Sequence, residues 1–209
     1  MNRIAPPLEL PAAQLAALRD AYASPPRAYH GFDHVRSVLD RWQEVAAGPG
    51  WVCPRETWLA VLYHDAVYVP GRRDNEARSA DMARDAIAHW LAGAGVDAGR
   101  VAWLIALTAR HGTLSRDDCG AGREGDDARL FLDCDMAILG ADPDTFAAYD
   151  RGIADEFRGV VPGVLYRFNR RRFLAGLVAR PRIFLSDFFH ARLDAAARRN
   201  LRHALDGSG

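Results

Sequence analysis

Apolar residues recur along this chain at intervals of three and four, the spacing of an α-helix that buries one face. The segment 32–46 shows the pattern clearly, with an apolar stripe of Phe32, Val35, Val38, Leu39, Trp42 and Val45. No convincing strand alternation appears, so the pattern predicts an all-α fold. The predicted helices lie at about 11–23, 32–47, 55–68, 74–93, 98–111, 128–139, 143–157, 164–180 and 190–205.

Proline and glycine mark the ends of these helices. Pro70-Gly71 follows the third predicted helix, and Gly93 ends the fourth. Asp142-Pro143 fits an N-cap followed by a proline at the first helical position. The stretch 112–127 is polar and rich in glycine, and we expect it to form a mobile loop beside the site.

The length of 209 residues fits a single helical domain over 1–209, with a core at about 20–180 and a C-terminal helix at about 190–205. The net charge is zero, which gives no indication of a nucleic-acid or membrane partner. No signal-peptide core and no apolar run of about 20 residues is found, so we expect a cytoplasmic protein. The composition does not predict the oligomeric state.

Two further counts exclude classes of chemistry. All 27 basic residues are arginine, which excludes a lysine Schiff base and a phosphate-loop lysine. The cysteines, Cys53, Cys119 and Cys134, show no CxxC spacing, so neither a disulfide framework nor a cysteine zinc site is expected.

Several ligand-type side chains fall on faces that should be buried. His34 lies at the edge of the apolar stripe of 32–46. In the predicted helix 55–68, Asp65 falls inside the stripe and His64 near its edge. Unpaired buried charges cost several kcal/mol or more, so such groups meet a cation or lose their charge. Imidazoles and carboxylates from separate helices therefore suggest a metal site.

The segment 128–139 is apolar nearly all round, which is typical of a buried helix, and it contains Asp133 and Asp135. A short strand is an alternative, because both aspartates would then share one strand face. In the buried helix these carboxylates are expected to lie away from solvent, whereas a strand that exposed them to solvent would weaken the case for a metal site.

This order of residues, a histidine, a His-Asp doublet and a distant aspartate, resembles the HD-domain superfamily of metal-dependent phosphohydrolases. The flanking sequence is similar to a group of small bacterial predicted HD phosphohydrolases over about residues 20–205. The similar stretches are YHGFDHV, LYHDAVY, NEARSA, LTARH, LFLDCDMAILGA and VPGVLYRFNRRRFL.

The resemblance implies an HD-type helical bundle holding one divalent transition ion, namely manganese, iron, cobalt, nickel or zinc. Superfamily members often carry the last ligand on the second aspartate of an Asp-x-Asp pair, which favours Asp135 over Asp133. Asp133 would then orient a ligand or a water. The implied metal ligands are His34, His64, Asp65 and Asp135.

The resemblance also implies hydrolysis of a small phosphorylated metabolite or nucleotide, in which water activated by the ion attacks phosphorus. Glu76 is expected to act as general base or acid, the alternative being a carboxylate favoured by a helix N-terminus. His111 is expected to contact the phosphate or the leaving group, or else to bond a carbonyl. His30 is expected to line the pocket. Arginines that could contact phosphate are Arg72, Arg73, Arg110, Arg167 and Arg170–Arg172.

Two other functions fit parts of the same pattern. Some superfamily members are dinuclear iron oxygenases, and His30 and His111 could then be the additional ligands. A non-catalytic module that senses a nucleotide through a retained metal pocket is the other alternative. Metal content and turnover distinguish the three functions.

Overall fold

The computed structural model describes residues 4–207, and every regular element within that range is helical. This confirms the all-α prediction, including the helix rather than strand around Asp133. The ends of the predicted domain, 1–3 and 208–209, lie outside the described residues. The helices are α1 Ala12–Ala23, α2 Phe32–Ala47, α3 Pro54–Tyr63, α4 Asn75–Trp90, α5 Ala98–Thr108, α6 Gly122–Met136, α7 Pro143–Phe157, α8 Gly163–Ala179 and α9 Asp187–Asp206, with short 3₁₀ turns at Asp117–Cys119 and Ala137–Gly140.

Helix α3 lies at the centre of the core, and all of its residues from Thr57 to Tyr63 are buried. It packs against α2, α4, α5 and α6. Helix α6 is buried continuously from Asp127 to Met136, which agrees with its apolar sequence. Because α2, α3 and α6 also contact one another in pairs, side chains from all three can meet at one point.

Two predicted boundaries differ from the structure by five residues or more, and the others by three or fewer. The third helix was expected to continue to residue 68, but α3 ends at Tyr63. The expectation of a loop over 112–127 is wrong for its last part, because α6 begins at Gly122. Asp127 explains the difference, since its buried carboxylate accepts backbone hydrogen bonds that tie this helical turn to the start of α3.

Three buried carboxylates fix the chain just before a helix begins. Each accepts hydrogen bonds from two consecutive backbone N–H groups, which satisfies donors that would otherwise lose their partners on burial. The pairs of donors are Val52 and Cys53 for Asp127, Leu185 and Ser186 for Asp133, and Tyr29 and His30 for Glu156. The segments that lead into α3, α9 and α2 are therefore held by α6 and α7.

Among the helices described over 4–207, none is both long and apolar enough to cross a bilayer.

Candidate metal centre

His34 lies in the first turn of α2 with its side chain almost completely buried. The ring of Tyr29, just before this helix, lies 4.9 Å from the imidazole ring between centroids. The helix carries Val35 and Val38 into the core, and this packing fixes the direction of the neighbouring imidazole. Its Nε2 atom points toward α3 and α6, where the other predicted ligands lie.

The His-Asp doublet follows the end of α3 and does not lie inside the helix as predicted. His64 is the C-cap residue, and Asp65 lies in the turn that comes next. The Nδ1 atom of His64 lies 2.8 Å from the carbonyl oxygen of Val61. A carbonyl can only accept, so Nδ1 carries the hydrogen in the neutral ring and Nε2 keeps its lone pair for a cation.

Arg27 holds the turn that contains the doublet. Its guanidinium donates hydrogen bonds to the backbone carbonyls of Asp65 and Ala66 on one side, and of Ala21 and His30 on the other. A planar guanidinium offers five donors in a fixed fork, a geometry that an ammonium group lacks. Arg27 thus joins the end of α3 to the segment between α1 and α2, a role that the sequence did not indicate.

The two aspartates of α6 point in different directions, since two residues on a helix differ by about 200°. Asp135 faces α2 and α3, with Oδ1 at 3.1 Å from His34 Nε2. Its second oxygen, Oδ2, lies 2.9 Å from Nδ1 of His111, which follows the end of α5. Asp135 therefore connects the predicted ligands with the predicted phosphate contact.

Asp133 faces α9 instead. Its oxygens accept hydrogen bonds from the N–H groups of Leu185 and Ser186 and from the Ser186 hydroxyl, at 2.6–2.8 Å. Burial raises the pKa of Asp133 to about 7, although these hydrogen bonds favour the charged form. No described hydrogen bond joins Asp133 to the cluster around His34. Its position fits an anchor for the start of α9 and does not fit the expected role of orienting a metal ligand.

Nε2 of His34, Nε2 of His64 and Oδ1 of Asp135 form a group that could hold a metal ion, with all three atoms within 4.8 Å of one another. Oδ2 of Asp65 lies beside the two imidazoles but outside that group. The distances between His34 Nε2 and the other three atoms, in that order, are 3.1, 3.1 and 3.6 Å, and those from His64 Nε2 to the carboxylates of Asp135 and Asp65 are 3.6 and 3.2 Å. Ligands at about 2.0–2.2 Å from one ion lie roughly 3.0–3.5 Å apart. The cluster therefore has the dimensions of a site for one divalent ion, and its donor set of imidazoles and carboxylates suits a transition metal.

The charges in the cluster agree with this interpretation. Burial would lower the pKa of His64, but the carboxylates of Asp65 and Asp135 raise it well above its ordinary value. Burial lowers the pKa of His34. Burial also favours the neutral form of Asp135, yet the imidazoles of His111, His34 and His64 hold its pKa well below the ordinary value. The two carboxylates thus remain charged although they are buried. The Nε2 atoms of His34 and His64 face each other, and only one hydrogen can lie between them. A cation would satisfy all four groups together.

A cavity of about 210 Å³ opens beside the cluster. Glu76, from the first turn of α4, lines it together with His30 and His111, so the structure brings three more of the predicted site residues next to Asp65 and Asp135. No arginine lines this cavity among the described residues, and the suggested arginine contacts to phosphate find no support there. The aromatic side chains in its wall are Tyr29, Tyr68, Tyr149 and Phe173.

A larger cavity of about 480 Å³ adjoins the first on the side of α2 and α7. The two cavities share Tyr29, His34, Asp135, Ile138 and Tyr149 as lining residues. The cluster thus lies where a small polar space meets a wider one.

Sequence reasoning missed Glu156 in α7. Its Oε2 atom lies 2.6 Å from Nδ1 of His30, and its Oε1 accepts the backbone hydrogen bonds of Tyr29 and His30. Glu156 is 126 residues from His30 in the chain, and no local pattern marks a contact of that range.

Comparisons with models of protein families, with curated proteins and with solved structures found no match to this chain.

Proposed function

We propose that this protein is a metal-dependent phosphohydrolase of the HD type, acting on a small phosphate ester. The observation that carries the proposal is the group formed by His34, His64 and Asp135, with Asp65 beside its two imidazoles, at the edge of a cavity that accepts a small group. The resemblance of the ordered residues to HD phosphohydrolases supports the same activity.

His34, His64, Asp65 and Asp135 would hold one divalent transition ion, which in such a site lowers the pKa of water and neutralises charge on a phosphoryl group. The two carboxylates supply the negative charge, and the Val61 carbonyl keeps His64 in the tautomer that ligation needs. Glu76 is half-buried in the cavity wall and makes no described hydrogen bond, so its carboxylate is free to exchange a proton with a bound group.

His111 would contact the phosphoryl or leaving oxygen. Burial favours its neutral form, but the adjacent Asp135 carboxylate outweighs that influence and raises the pKa of His111 above its ordinary value. In its protonated form, which the Asp135 carboxylate favours, His111 can donate a hydrogen bond to an anionic oxygen, a role that no arginine in this wall fills among the described residues.

The two cavities suggest how an ester would be placed. The smaller one has room for a phosphoryl group beside the cluster, and the larger one, past Tyr29 and Tyr149, has room for the organic part. Aromatic rings at that junction could stack on a planar group, so a nucleotide is one substrate class that fits.

Metal content per chain tests the site. We expect elemental analysis to find about one divalent transition ion in the wild type and almost none in Asp65→Asn, because the amide lacks the charge that a cation requires. Asp81→Asn, which changes an exposed carboxylate outside the cluster, serves as the control and should keep the ion. Absence of metal after reconstitution would overturn the proposal, and two irons per chain would favour the dinuclear oxygenase.

Turnover tests the activity. Protein reconstituted with each ion in turn should release phosphate from at least one member of a panel of nucleotides and sugar phosphates, and Asp65→Asn should not. Tight nucleotide binding without release of phosphate under any ion would favour the sensing module.

A further inference from the structure

His30 and Glu156 form an imidazole–carboxylate pair in the wall of the smaller cavity. The 2.6 Å contact joins His30 Nδ1 to Glu156 Oε2, and the Glu156 side chain is only 3% exposed. The other carboxylate oxygen accepts two backbone hydrogen bonds, from Tyr29 at 2.8 Å and from His30 at 2.9 Å. Both oxygens are occupied, so the carboxylate has one orientation.

The His30 ring is held on its other sides as well. Tyr68 stacks on it at 4.1 Å between ring centroids, and Arg27 donates a hydrogen bond to its backbone carbonyl. The side chain remains 19% exposed and lines the cavity together with Asp65 and Glu76. Nδ1 and both backbone polar groups of His30 have partners, and no described hydrogen bond involves Nε2, so Nε2 is the ring nitrogen left for a group in the cavity.

We propose that His30 is a catalytic residue that accepts a proton from the attacking water through Nε2, and that Glu156 is the positioning residue that sets its tautomer. A carboxylate can only accept, so in the neutral ring Nδ1 carries the hydrogen and Nε2 carries a lone pair. The same division of roles between a buried carboxylate and an imidazole operates in the Ser-His-Asp triad.

The catalytic part of the inference rests on the proposed phosphohydrolase function. As the water oxygen forms its bond to phosphorus, one O–H bond of the water breaks and that proton moves to His30 Nε2. The ester P–O bond breaks with its electron pair on the leaving oxygen, which takes a proton from solvent. Release of the His30 proton to solvent completes the conversion of ester and water to phosphate and alcohol.

Glu156→Gln tests the tautomer sharply. In the wild type, Oε1 of Glu156 accepts hydrogen bonds from two backbone N–H groups, so in glutamine the amide oxygen must take that position. The amide NH₂ group then faces Nδ1 of His30. An NH₂ group donates, so Nδ1 must accept and the hydrogen moves to Nε2. The substitution is nearly isosteric, and it removes the proton acceptor from the cavity while leaving His30 in place.

The first measurement is ¹⁵N NMR of the imidazoles in metal-free protein at a pH where they are neutral, with His30→Gln to assign the signal. We expect the hydrogen on Nδ1 in the wild type and on Nε2 in Glu156→Gln. A hydrogen on Nε2 in the wild type would overturn the proposal without reference to any activity.

The second measurement is steady-state kinetics of the reconstituted enzyme. Both His30→Gln and Glu156→Gln should lower kcat about 10²- to 10⁴-fold, with KM and metal content nearly unchanged. Two controls test for a merely structural effect: Asp127→Asn removes the charge of another carboxylate that binds two backbone N–H groups, and His89→Gln removes an imidazole that does not line the cavity.

The outcomes separate this inference from the proposed function. If the wild type is active and Glu156→Gln has the reversed tautomer but an unchanged kcat, the proposed role of His30 is overturned. The proposed phosphohydrolase function would then still stand. Failure of the wild type to hydrolyse any ester would overturn the catalytic role together with that function, while the NMR result still decides whether Glu156 sets the tautomer.

Discussion

Two aspartates separated by one residue have unrelated surroundings. Asp135 is in contact with the imidazoles of His34 and His111, whereas the hydrogen bonds of Asp133 within the described part of the chain go to the segment before α9. The helical turn between them accounts for the difference, because side chains two positions apart leave a helix on nearly opposite sides. Equal burial and equal chemistry therefore do not imply equal function at these positions.

Separate substitutions of Asp133 and Asp135 by asparagine test this difference. We expect Asp135→Asn to abolish metal binding, because it removes a charged ligand. Asp133→Asn should keep the metal but lower the free energy of unfolding by about 1–3 kcal/mol, since the new NH₂ group donates and cannot accept the hydrogen bond from the N–H group of Leu185 or of Ser186 that it faces. Elemental analysis and urea unfolding of both variants check this, and loss of metal in a folded Asp133→Asn would contradict it.

At the scale of elements, the helices that carry the site begin without ordinary caps. The N-cap residues Gly31 of α2 and Cys53 of α3 make no side-chain cap hydrogen bond. Carboxylates from distant helices instead bind the N–H groups just ahead of them, Glu156 for α2 and Asp127 for α3. Each anchor fixes the start of one helix to the side of another.

Asp127→Asn should therefore destabilise the fold by about 1–3 kcal/mol, because the amide turns one acceptor into a donor that faces a backbone N–H. Its neighbour Asp126 is exposed and pairs with Arg129, so Asp126→Asn should stay within about 0.5 kcal/mol of the wild type. Denaturant unfolding of the two variants compares them directly. If both substitutions changed the free energy of unfolding equally, the backbone hydrogen bonds of Asp127 would make no specific contribution to stability.

The turn after α3 depends on Arg27. Arg27→Lys keeps the charge but cannot reach four carbonyls with the geometry of a planar fork, and we expect a loss of about 1–3 kcal/mol in unfolding free energy with weaker metal binding. Arg19→Lys, at an exposed position on α1, is the matched control and should change neither quantity. Metal titration and thermal unfolding test the expectation, and an unaltered metal affinity in Arg27→Lys would argue against it.

The sequence predicted those features that depend on local pattern. Periodic apolar positions indicated all nine helices within the described range, and the position of Asp65 in an apolar stripe indicated that it meets other polar groups. The end of α3 was not predictable, because residues 64–68 continue the apolar pattern although the chain turns there. The contacts of Arg27 and Glu156 join segments 38 and 126 residues apart, and only tertiary packing determines them.

At the scale of the whole molecule, the cluster joins two consecutive helices, α2 and α3, to α6, which is distant from them in the chain. Two carboxylates in a buried place repel each other when no cation balances them, so binding of an ion and packing of α2, α3 and α6 should stabilise each other. Under the proposed function, the stability of the fold would therefore depend on the concentration of free metal.

Chelation should lower the melting temperature of the wild type, and returning the ion should restore it. Free ion at about 100 times Kd should add about 2.7 kcal/mol to the unfolding free energy. Asp135→Asn should melt at the same temperature with and without the chelator. The same shift in both proteins would mean that the ion binds elsewhere.

The order of the ligands along the chain has a consequence for biosynthesis. His34 and the doublet leave the ribosome long before Asp135, and no short peptide contains enough of them to capture an ion. Under the proposed function, the complete metal site would therefore form only after α6 has been synthesised and packed. A flexible peptide would take ions in the order of their intrinsic affinities, with copper and zinc ahead of manganese and iron. A pocket that forms first can select by its size and geometry instead.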